Sequence, residues 1–379
     1  MRVIMTGGGT GGHIYPAIAI ADKIKEKHPD AEILFVGTER GLEKKLVPQS
    51  GYPIKFITVT GFNRKNLFKN LKVLSNLRKG FKEAKAILQE FKPDVVIGTG
   101  GYVCGPVVKM ANSLKIRTFI HEQNAFPGLT NKLLESYAEK VFVAFAEAKS
   151  KFKNQSKLVV SGNPIRKDFF DVAKAECRAK FGISDNDFVI LSFGGSQGAA
   201  KINEVMTSAL EKLSYDEKNV IFFVTGASYY DKILEKVKEQ NINLNDKIHI
   251  LPYIDDMAKC FVACDLVISR AGALAVSEIM ACGKPAILIP SPHVASNHQF
   301  FNAKALVVKG GAVMIEEKDL DADKLVETIL ALRDDAGMLE KMAIASKNAM
   351  ESDAAEIIYS ELGLDESEAY AYHKKNNQR

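Results

Sequence analysis

Histidine and glutamate residues beside glycine-rich turns are the residue types in this sequence that could do chemistry. His13 directly follows the turn GGGTGG at residues 7–12, and His121 and Glu122 are neighbours in HEQN. An imidazole titrates near neutral pH and can accept a proton from a hydroxyl group. His13 is therefore the first candidate for a general base, with His121 and Glu122 as rivals. The alternative roles for His13 are acceptor binding and capping of the loop.

Three glycine-rich turns each follow an apolar run: GGGTGG at 7–12, GTGGYVCGP at 98–106 and GGSQGA at 194–199. Glycine lets backbone N–H groups approach a phosphate or another polar ligand at the start of a helix. The first turn also fits the dinucleotide pattern G-x-G-x-x-G, with Glu39 as the acid for the ribose. Two further turns at corresponding places favour a substrate cleft instead. A single turn of this kind is more simply a tight connection between a strand and a helix.

The segment SRAGALAVSEIMACGKPAILIP, residues 269–290, combines a glycine turn with an early helical carboxylate. Gly272 allows a close turn, and a helix is expected to begin near Ala273. Its unpaired N–H groups and positive dipole end could hold a diphosphate. Glu278 lies one turn into that helix and could accept two hydrogen bonds from a ribose diol. The alternative is a glutamate that only stabilises the helix dipole.

Apolar, β-branched runs alternate with helical patterns along the chain. The strands and helices that they predict must position the candidate histidines, glutamates and glycine turns. Such continuous runs predict parallel sheets that are covered by helices on both faces. The pattern starts again near residue 188, after GNPIRKDFF at 162–170, which predicts two Rossmann-like domains with ligands at the carboxyl ends of their strands. The length of 379 residues agrees with two domains of about 150 residues or more each. The runs predicted to be strands are 2–6, 33–36, 95–98, 118–120, 141–144, 188–193, 221–225, 247–251, 266–269 and 286–290.

Charge and cysteine content narrow the class of protein. A net charge of +5 is small for this length, and no interleaved stacking aromatics support nucleic-acid binding. The five cysteines are predicted to be reduced thiols, four of them in apolar or helical surroundings. The N-terminus does not have the pattern of a signal peptide, and no apolar run approaches the ~18 residues that span a bilayer.

Carboxylate pairs of the D-x-D type, whose oxygens can hold a divalent metal, occur at 185/187, 319/321 and 321/323. The first precedes a strand and the others lie at an expected helix start. Turn and capping roles are favoured for all of them. We therefore expect no bound metal, with helix dipoles and backbone donors stabilising a negatively charged ligand instead.

Residues 62–82, FNRKNLFKNLKVLSNLRKGFK, contain seven basic residues and no acid. Leu67, Leu71, Leu74, Leu77 and Phe81 recur at spacings of three and four, and Phe68 and Val73 widen the apolar surface. An anionic membrane surface is the favoured partner of such a segment. The alternative is an ordinary helix that docks its stripe on the sheet.

The motifs taken together, in their order along the chain, resemble the MurG family. That order is GGGTGGH, GTGGYVCGP, HEQNAFPGLTN, GNPIR, FGGSQGA, YIDDM, SRAGALAVSE and NHQFFNA, and the resemblance covers roughly residues 1–360. It implies an α/β fold of the GT-B type, two doubly wound domains with parallel sheets facing across a deep cleft. The expected division is 1–163 for acceptor and membrane, 164–345 for the donor, a helix at about 346–364 returning to the first domain, and a polar tail, 365–379.

The resemblance also implies the reaction. Members are inverting transferases that move N-acetylglucosamine from UDP-GlcNAc to the 4-hydroxyl of muramoyl-pentapeptide on undecaprenyl diphosphate, in peptidoglycan synthesis. The expected location is peripheral, at the cytoplasmic face of the bacterial membrane. A wall-synthesis protein complex is a further candidate partner, and no cofactor is expected. The competing hypotheses are a UDP-sugar epimerase on the same fold and a non-catalytic UDP-sugar-binding subunit.

Site residues follow from the resemblance position by position. Ile254 would meet the uracil through its backbone, Glu278 the ribose, and Arg166 the nucleotide side. Gln299 and Asn124 would contact the donor sugar, and Gly101 and Tyr102 the acceptor. The residues expected around the diphosphate are Ser196, Ala273, Leu274, Ala275, Val276 and Ser277, with Thr10, Gly11 and Gly12 closing over the donor. The family's Gln-Gln pair reads His298-Gln299 here, which leaves the role of His298 open.

Overall fold

A computed structural model describes residues 1–61, 70–170, 172–242, 244–350 and 353–364. The chain forms two compact units. The first, which we call the N-unit, comprises residues 1–165 together with 353–364, and the second, the C-unit, comprises residues 166–350. The expected tail, 365–379, lies outside the described residues.

The N-unit is built on a seven-stranded sheet in which every strand pair is parallel. Its strands are β1 (Arg2–Thr6), β2 (Glu32–Gly37), β3 (Ile54–Phe56), β4 (Val95–Gly98), β5 (Arg117–Glu122), β6 (Lys140–Val143) and β7 (Leu158–Val160). They lie in the order β3-β2-β1-β4-β5-β6-β7. Because β1 and β4 are neighbours, the glycine turns that follow them leave the sheet side by side.

The C-unit repeats this architecture with six parallel strands in the order β10-β9-β8-β11-β12-β13. They are β8 (Phe188–Phe193), β9 (Asn219–Val224), β10 (Ile248–Leu251), β11 (Leu266–Ser269), β12 (Ala286–Leu288) and β13 (Ala312–Met314). In both units the chain order reverses direction across the sheet beside the first strand, and ligands bind at such switch points.

Helices connect successive strands and cover the sheets. They are α1 (Gly11–Lys27), α2 (Glu43–Gln49), α3 (Asn70–Phe91), α4 (Cys104–Ser113), α5 (Leu129–Leu134), α6 (Lys174–Lys180), α7 (Ala200–Leu213), α8 (Tyr230–Glu239), α9 (Met257–Ala263), α10 (Ala273–Cys282), α11 (His298–Val308), α12 (Ala322–Asp334), α13 (Ala336–Asn348) and α14 (Ala354–Leu362). Helix α14 packs on α1 within the N-unit. Among the described residues, no helix is both long and apolar enough to cross a bilayer.

The continuous apolar strands explain why the sheets are covered on both faces. In β1, Val3 and Met5 point into one core cluster and Ile4 into another, and all three are fully buried. Side chains alternate across a strand, so an unbroken apolar run requires apolar packing on both sides. The predicted doubly wound arrangement is confirmed.

Ten strands were expected, and all ten are present. The three that were not expected, β3, β7 and β13, are each three residues long and lie at sheet edges. An edge strand pairs on one side only and need not be a long apolar run. β7 (LVV) and β13 (AVM) are apolar but only three residues long, and β3 (IKF) is interrupted by a lysine, so none of them stood out as a strand in the sequence.

Helix α3 buries a face that differs from the predicted leucine stripe. Val73, Gly80, Ala84 and Leu88 are buried, whereas Leu74 is 47% exposed. Of the other described stripe positions, Leu77 and Phe81 are half-buried, so the stripe is only partly exposed. The more N-terminal stripe positions, 67, 68 and 71, lie outside the residues whose side chains are described.

Candidate functional site

The first two glycine turns of the N-unit contact each other at the carboxyl ends of β1 and β4, as the sequence predicted. Gly8 N donates to Gly100 O at 3.3 Å. Gly101 has φ +86°, and a Cβ there would lie 2.4 Å from the Gly8 oxygen. Only glycine avoids that overlap and also adopts this backbone conformation without strain. Tyr102, in the second turn, is 61% exposed.

His13 lies in the first turn of α1, next to the second glycine turn, and is half-buried. Its Nδ1 is 3.0 Å from the Thr99 carbonyl oxygen and 3.0 Å from Gln123 Oε1. The Thr99 hydroxyl donates to the His13 carbonyl at 2.7 Å. The ring is thus held by residues that directly follow β4 and β5.

His121, the first rival of His13, is fully buried at the end of β5. Its Nε2 contacts the Gly162 carbonyl at 3.0 Å, and its Nδ1 contacts Gln123 Nε2 at 3.0 Å. Burial lowers the pKa of His121 to about 4, although the hydrogen bond to Gly162 opposes the shift. The ring is therefore neutral near pH 7, with both nitrogens already bonded within the chain.

Glu122, the second rival, is buried and connects the end of β5 to the following loop. Its Oε1 accepts from the backbone N–H and side-chain amide of Asn124, at 2.9 and 3.0 Å. Its Oε2 accepts from Gly128 N at 3.0 Å and from Asn131 Nδ2 at 2.8 Å. Because one buried carboxylate accepts four hydrogen bonds, Glu122 stabilises the conformation of residues 122–131.

Glu43 is a buried carboxylate that the sequence did not single out. It accepts hydrogen bonds from Gly9 N at 2.9 Å, from Thr38 N at 2.9 Å and from the Thr38 hydroxyl at 2.7 Å. Glu39, the acid that a dinucleotide site would use, is exposed. The first glycine turn therefore gives its Gly9 amide to a carboxylate of the chain, an arrangement that disfavours a dinucleotide there.

Cys104 lies beneath the same turns and is fully buried. Its sulfur accepts from Gly100 N and contacts the carbonyl oxygens of Thr6 and Gly100, all within 3.1 Å. Burial raises the pKa of the thiol to about 12. All five cysteines are free, as predicted.

In the C-unit, Glu278 lies in the second turn of α10 and is half-buried. No hydrogen bond to its carboxylate comes from the described residues. Burial raises the pKa of Glu278 to about 7, although the positive charge of Arg166 opposes the shift. The carboxylate is desolvated without a compensating donor from the described chain, which makes it a candidate for contact with a ligand.

The start of α10 has an uncapped helix terminus. Gly272 follows β11 in an extended conformation and provides no side chain that could cap the helix. Leu274 and Ala275 are half-buried, whereas Ala273, Val276 and Ser277 are buried. The Ser277 hydroxyl donates to the Ala273 carbonyl at 2.9 Å.

The third glycine turn connects β8 to α7. Gly198 has φ +75°, and a Cβ there would lie 2.1 Å from the Thr225 oxygen, so the turn packs tightly on the end of β9. Ser196, at its tip, is exposed. This turn therefore presents a polar side chain to solvent at the carboxyl end of the sheet.

Of the other predicted donor residues, Ile254, Arg166 and Gln299 lie on other segments of the C-unit, whereas Asn124, Thr10, Gly11 and Gly12 belong to the N-unit. Ile254 is buried in the loop after β10, and Arg166 is exposed, with its guanidinium 3.5 Å from Asp168. Gln299 Oε1 accepts from Ser291 N at 2.8 Å. His298 Nδ1 donates to the Ala295 carbonyl at 2.8 Å, which closes the turn before α11. The position that departs from the family pattern thus supports a local turn.

Among the D-x-D residues, Asp321 has a capping role and Asp187 has a turn role. Asp321 caps α12 by accepting from Lys324 N at 2.8 Å. Asp187 accepts from Ser184 N at 2.8 Å and pairs with Lys247 at 2.7 Å, and Asp323 pairs with Lys212. In the described ranges, no three His, Cys, Asp or Glu residues group as metal ligands would.

Comparisons with known proteins agree with this geometry. Residues 3–143 match the Glycosyltransferase family 28 N-terminal domain, and residues 189–358 match its C-terminal domain. A relative from Caldanaerobacter subterraneus is 50% identical over 95% of this chain and 98% of its own length. One from Alkaliphilus metalliredigens is 47% identical over 96% and 98%. Both are named UDP-N-acetylglucosamine–N-acetylmuramyl-(pentapeptide) pyrophosphoryl-undecaprenol N-acetylglucosamine transferase.

Solved structures show the same fold. The crystal structure of Acinetobacter baumannii MurG superimposes with a TM-score of 0.75 at 28% identity, over 94% of this chain and 97% of that one. A UDP-GlcNAc 2-epimerase from Neisseria meningitidis superimposes with a TM-score of 0.67 at 15% identity, over 96% and 99%. At that identity the epimerase likeness concerns the fold alone.

Proposed function

The chain belongs to glycosyltransferase family 28, and within it to the MurG transferases, and we propose that it converts a lipid-linked monosaccharide into a disaccharide. It moves N-acetylglucosamine from UDP-GlcNAc to the 4-hydroxyl of muramoyl-pentapeptide on undecaprenyl diphosphate, a step of peptidoglycan synthesis. The observation that carries this function is identity of about half over nearly the whole length of relatives with that activity in their names.

The donor belongs to the C-unit in this proposal. Glu278, with no donor from the described chain, accepts the hydrogen bonds of the ribose diol, and the backbone of Ile254 meets the uracil. The uncapped start of α10 and the exposed Ser196 hold the diphosphate, whose negative charge favours a helix N-terminus. Arg166 lies at the nucleotide, and Gln299 and Asn124 contact the sugar.

The acceptor belongs to the N-unit, with His13 as the general base. The acceptor 4-hydroxyl oxygen forms a bond to the anomeric carbon while the bond from that carbon to the UDP oxygen breaks. The hydroxyl proton passes to His13, and the configuration inverts in this single displacement. His121 and Glu122 are assigned positioning roles, because the described chain already bonds both nitrogens of the first and both oxygens of the second.

The second glycine turn supplies the acceptor contacts in this proposal. Tyr102 is exposed and Gly101 is packed on the first turn, so an acceptor can approach the tyrosine. Thr10, Gly11 and Gly12 form the start of α1 and remain candidates for contacts with the donor. No bound metal takes part, so EDTA should leave most of the activity in place.

A direct assay tests the reaction. The pure protein is incubated with radiolabelled UDP-GlcNAc and a lipid-linked muramoyl-pentapeptide acceptor, and the lipid fraction is analysed. Label in a lipid-linked disaccharide supports the transferase. Release of a free sugar without acceptor would support the epimerase, and binding without turnover would support a non-catalytic subunit.

The protein also binds the cytoplasmic face of the bacterial membrane peripherally, in this proposal through the basic segment 62–82. Leu74 is exposed on α3, and so are Ser75, Arg78 and Lys79. These residues are not part of the face of α3 that is buried. Apolar side chains can enter the interface while basic ones meet anionic headgroups, each worth about 1 kcal/mol. Nucleic acid is not a partner, and a wall-synthesis complex is compatible with this location.

Vesicle co-sedimentation tests the membrane contact. Changing Lys69, Lys72, Arg78 and Lys79 to Glu should abolish binding to anionic vesicles and impair turnover of a long-chain acceptor. Turnover of a soluble short-chain acceptor should fall much less. A folded quadruple variant that still pellets like the wild type would show that α3 is only a core helix.

A further inference from the structure

Hydrogen bonding around His13 defines which of its ring nitrogens carries the proton. Nδ1 faces two oxygens, the Thr99 carbonyl and Gln123 Oε1, each at 3.0 Å. Both oxygens are acceptors, so Nδ1 must be the donor. In the neutral ring Nε2 then keeps its lone pair. No hydrogen bond to this nitrogen comes from the part of the chain that the structure describes.

The orientation of the Gln123 amide is fixed by its other contacts. Its Nε2 donates to the Thr99 carbonyl at 2.7 Å and to His121 Nδ1 at 3.0 Å, and the side chain is 1% exposed. Rotation of the amide by 180° would place Oε1 against the Thr99 carbonyl oxygen, which is another acceptor. Oε1 therefore stays directed at His13.

His121 fixes the far end of the same chain of donors. Its Nε2 faces the Gly162 carbonyl and must donate, so its Nδ1 must accept from Gln123. Every proton then points the same way, from His13 through Gln123 and His121 to Gly162. The buried neutral state of His121 preserves this direction, since a protonated ring would have no acceptor for Gln123.

We propose that Gln123 is a positioning residue that holds His13 in the Nδ1-protonated tautomer, so that Nε2 stays free to accept a proton. This inference rests on the proposed role of His13 as general base. The loop that contains HEQN would then determine the tautomer of His13 as well as the shape of the site. Gln123 also keeps the Thr99 carbonyl in place, so its effect on the tautomer has two sources.

Nitrogen-15 NMR of histidine-labelled protein tests the tautomer without an activity assay. At pH 8 the His13 ring should show a protonated Nδ1 and an unprotonated Nε2, and its signals are identified by their loss in His13→Gln. In Gln123→Met the Nδ1-protonated fraction should fall. The matched control is Gln89→Met, because Gln89 is exposed on α3 and outside the site.

Kinetics supply the second readout. Gln123→Met should lower kcat by about two- to tenfold, the equilibrium shift that one hydrogen bond controls. The KM for UDP-GlcNAc should stay the same, because the donor is assigned to the other unit. A purely structural role would instead lower the amount of folded enzyme and leave the tautomer of the remaining molecules unchanged.

The outcomes distinguish the positioning role of Gln123 from the role of His13 as general base. A wild-type spectrum with Nε2 protonated overturns the proposal, even if the variant does not fold. An unchanged tautomer in folded Gln123→Met also overturns it, because Thr99 alone would then suffice. If the tautomer is as proposed but His13→Ala turns over like the wild type, the general base fails and the positioning by Gln123 stands.

Discussion

Glu122 ends the strand β5 of the N-unit and Glu278 lies in the helix that follows β11 of the C-unit, and their carboxylates are bonded very differently. Glu122 accepts four hydrogen bonds from its own loop. Glu278 accepts none from the described residues, and burial raises its pKa to about 7. A buried carboxylate with its full set of donors stabilises a loop, whereas one without donors gains them from a ligand.

The same difference extends to the surroundings of each residue. In the N-unit, His13, Gln123 and His121 form a continuous chain of hydrogen bonds, so the ring that we propose as general base is held by the chain itself. In the C-unit, Ser196 is exposed and Gly272 gives the start of α10 no side-chain cap. Preorganisation serves the chemical step, and unsatisfied groups serve binding. Four substitutions or conditions test this division.

The largest effect is expected at the preorganised group. His13→Ala should lower kcat by about 10²–10⁴-fold, because a general base typically contributes that much. Donor affinity should be nearly unchanged, since the residues assigned to the ribose and the uracil lie in the C-unit and His13 is not assigned to the donor. Single-turnover kinetics at saturating acceptor and calorimetry with UDP-GlcNAc measure the two quantities. Turnover close to wild type would shift the base to His121 or Glu122.

The next effect concerns stability rather than chemistry. Glu122→Ala leaves several donors of its loop without a partner, and each buried unpaired donor costs about 1–3 kcal/mol. The thermal midpoint should therefore fall clearly, with a loss of roughly 3 kcal/mol or more. Glu39→Ala is the matched control, because that carboxylate is exposed. Equal thermal midpoints for the two variants would contradict the stabilising role of Glu122.

Glu278→Ala should show the opposite profile. Its donor affinity should fall by about 10- to 150-fold, the equivalent of losing a hydrogen-bonded carboxylate worth ~1.5–3 kcal/mol. Its thermal midpoint should not fall, since no described group loses a partner. Glu204→Ala, an exposed carboxylate on α7, is the control for calorimetric titration. Unchanged donor affinity in the folded variant would remove Glu278 from the ribose site.

The sequence alone does not predict most of this difference between the bonded side chains of the N-unit and the unbonded carboxylate of the C-unit. The ten strand runs were recognisable because central parallel strands must be apolar on both faces, and His13 and Glu278 because each stands beside a glycine turn. Gln123 and Glu43 were missed, since their partners lie on other strands or loops and leave no local spacing. For the same reason, the sequence ranked His121 and Glu122 as rivals of His13, although their hydrogen bonds disfavour that role.

The smallest expected effect is the pH dependence of donor binding, and its sign follows from Glu278. Burial raises the pKa of this carboxyl to about 7, so the free protein loses the ionised form as the pH falls through 7. Ribose hydroxyls donate to the ionised carboxylate, so binding favours that form. The affinity for UDP-GlcNAc should therefore decrease by up to roughly tenfold from pH 8 to pH 6.

A variant that cannot ionise isolates this contribution from other titrating groups. Glu278→Gln keeps an acceptor oxygen but has no charge to lose, so its affinity should be lower at pH 8 and nearly independent of pH. Calorimetric titration of both proteins at several pH values between 6 and 8 gives the two slopes. UDP-GlcNAc suits this test because its phosphates are both diesterified and do not titrate in this range. Equal slopes would mean that another group causes the pH dependence and that Glu278 does not meet the donor as a carboxylate.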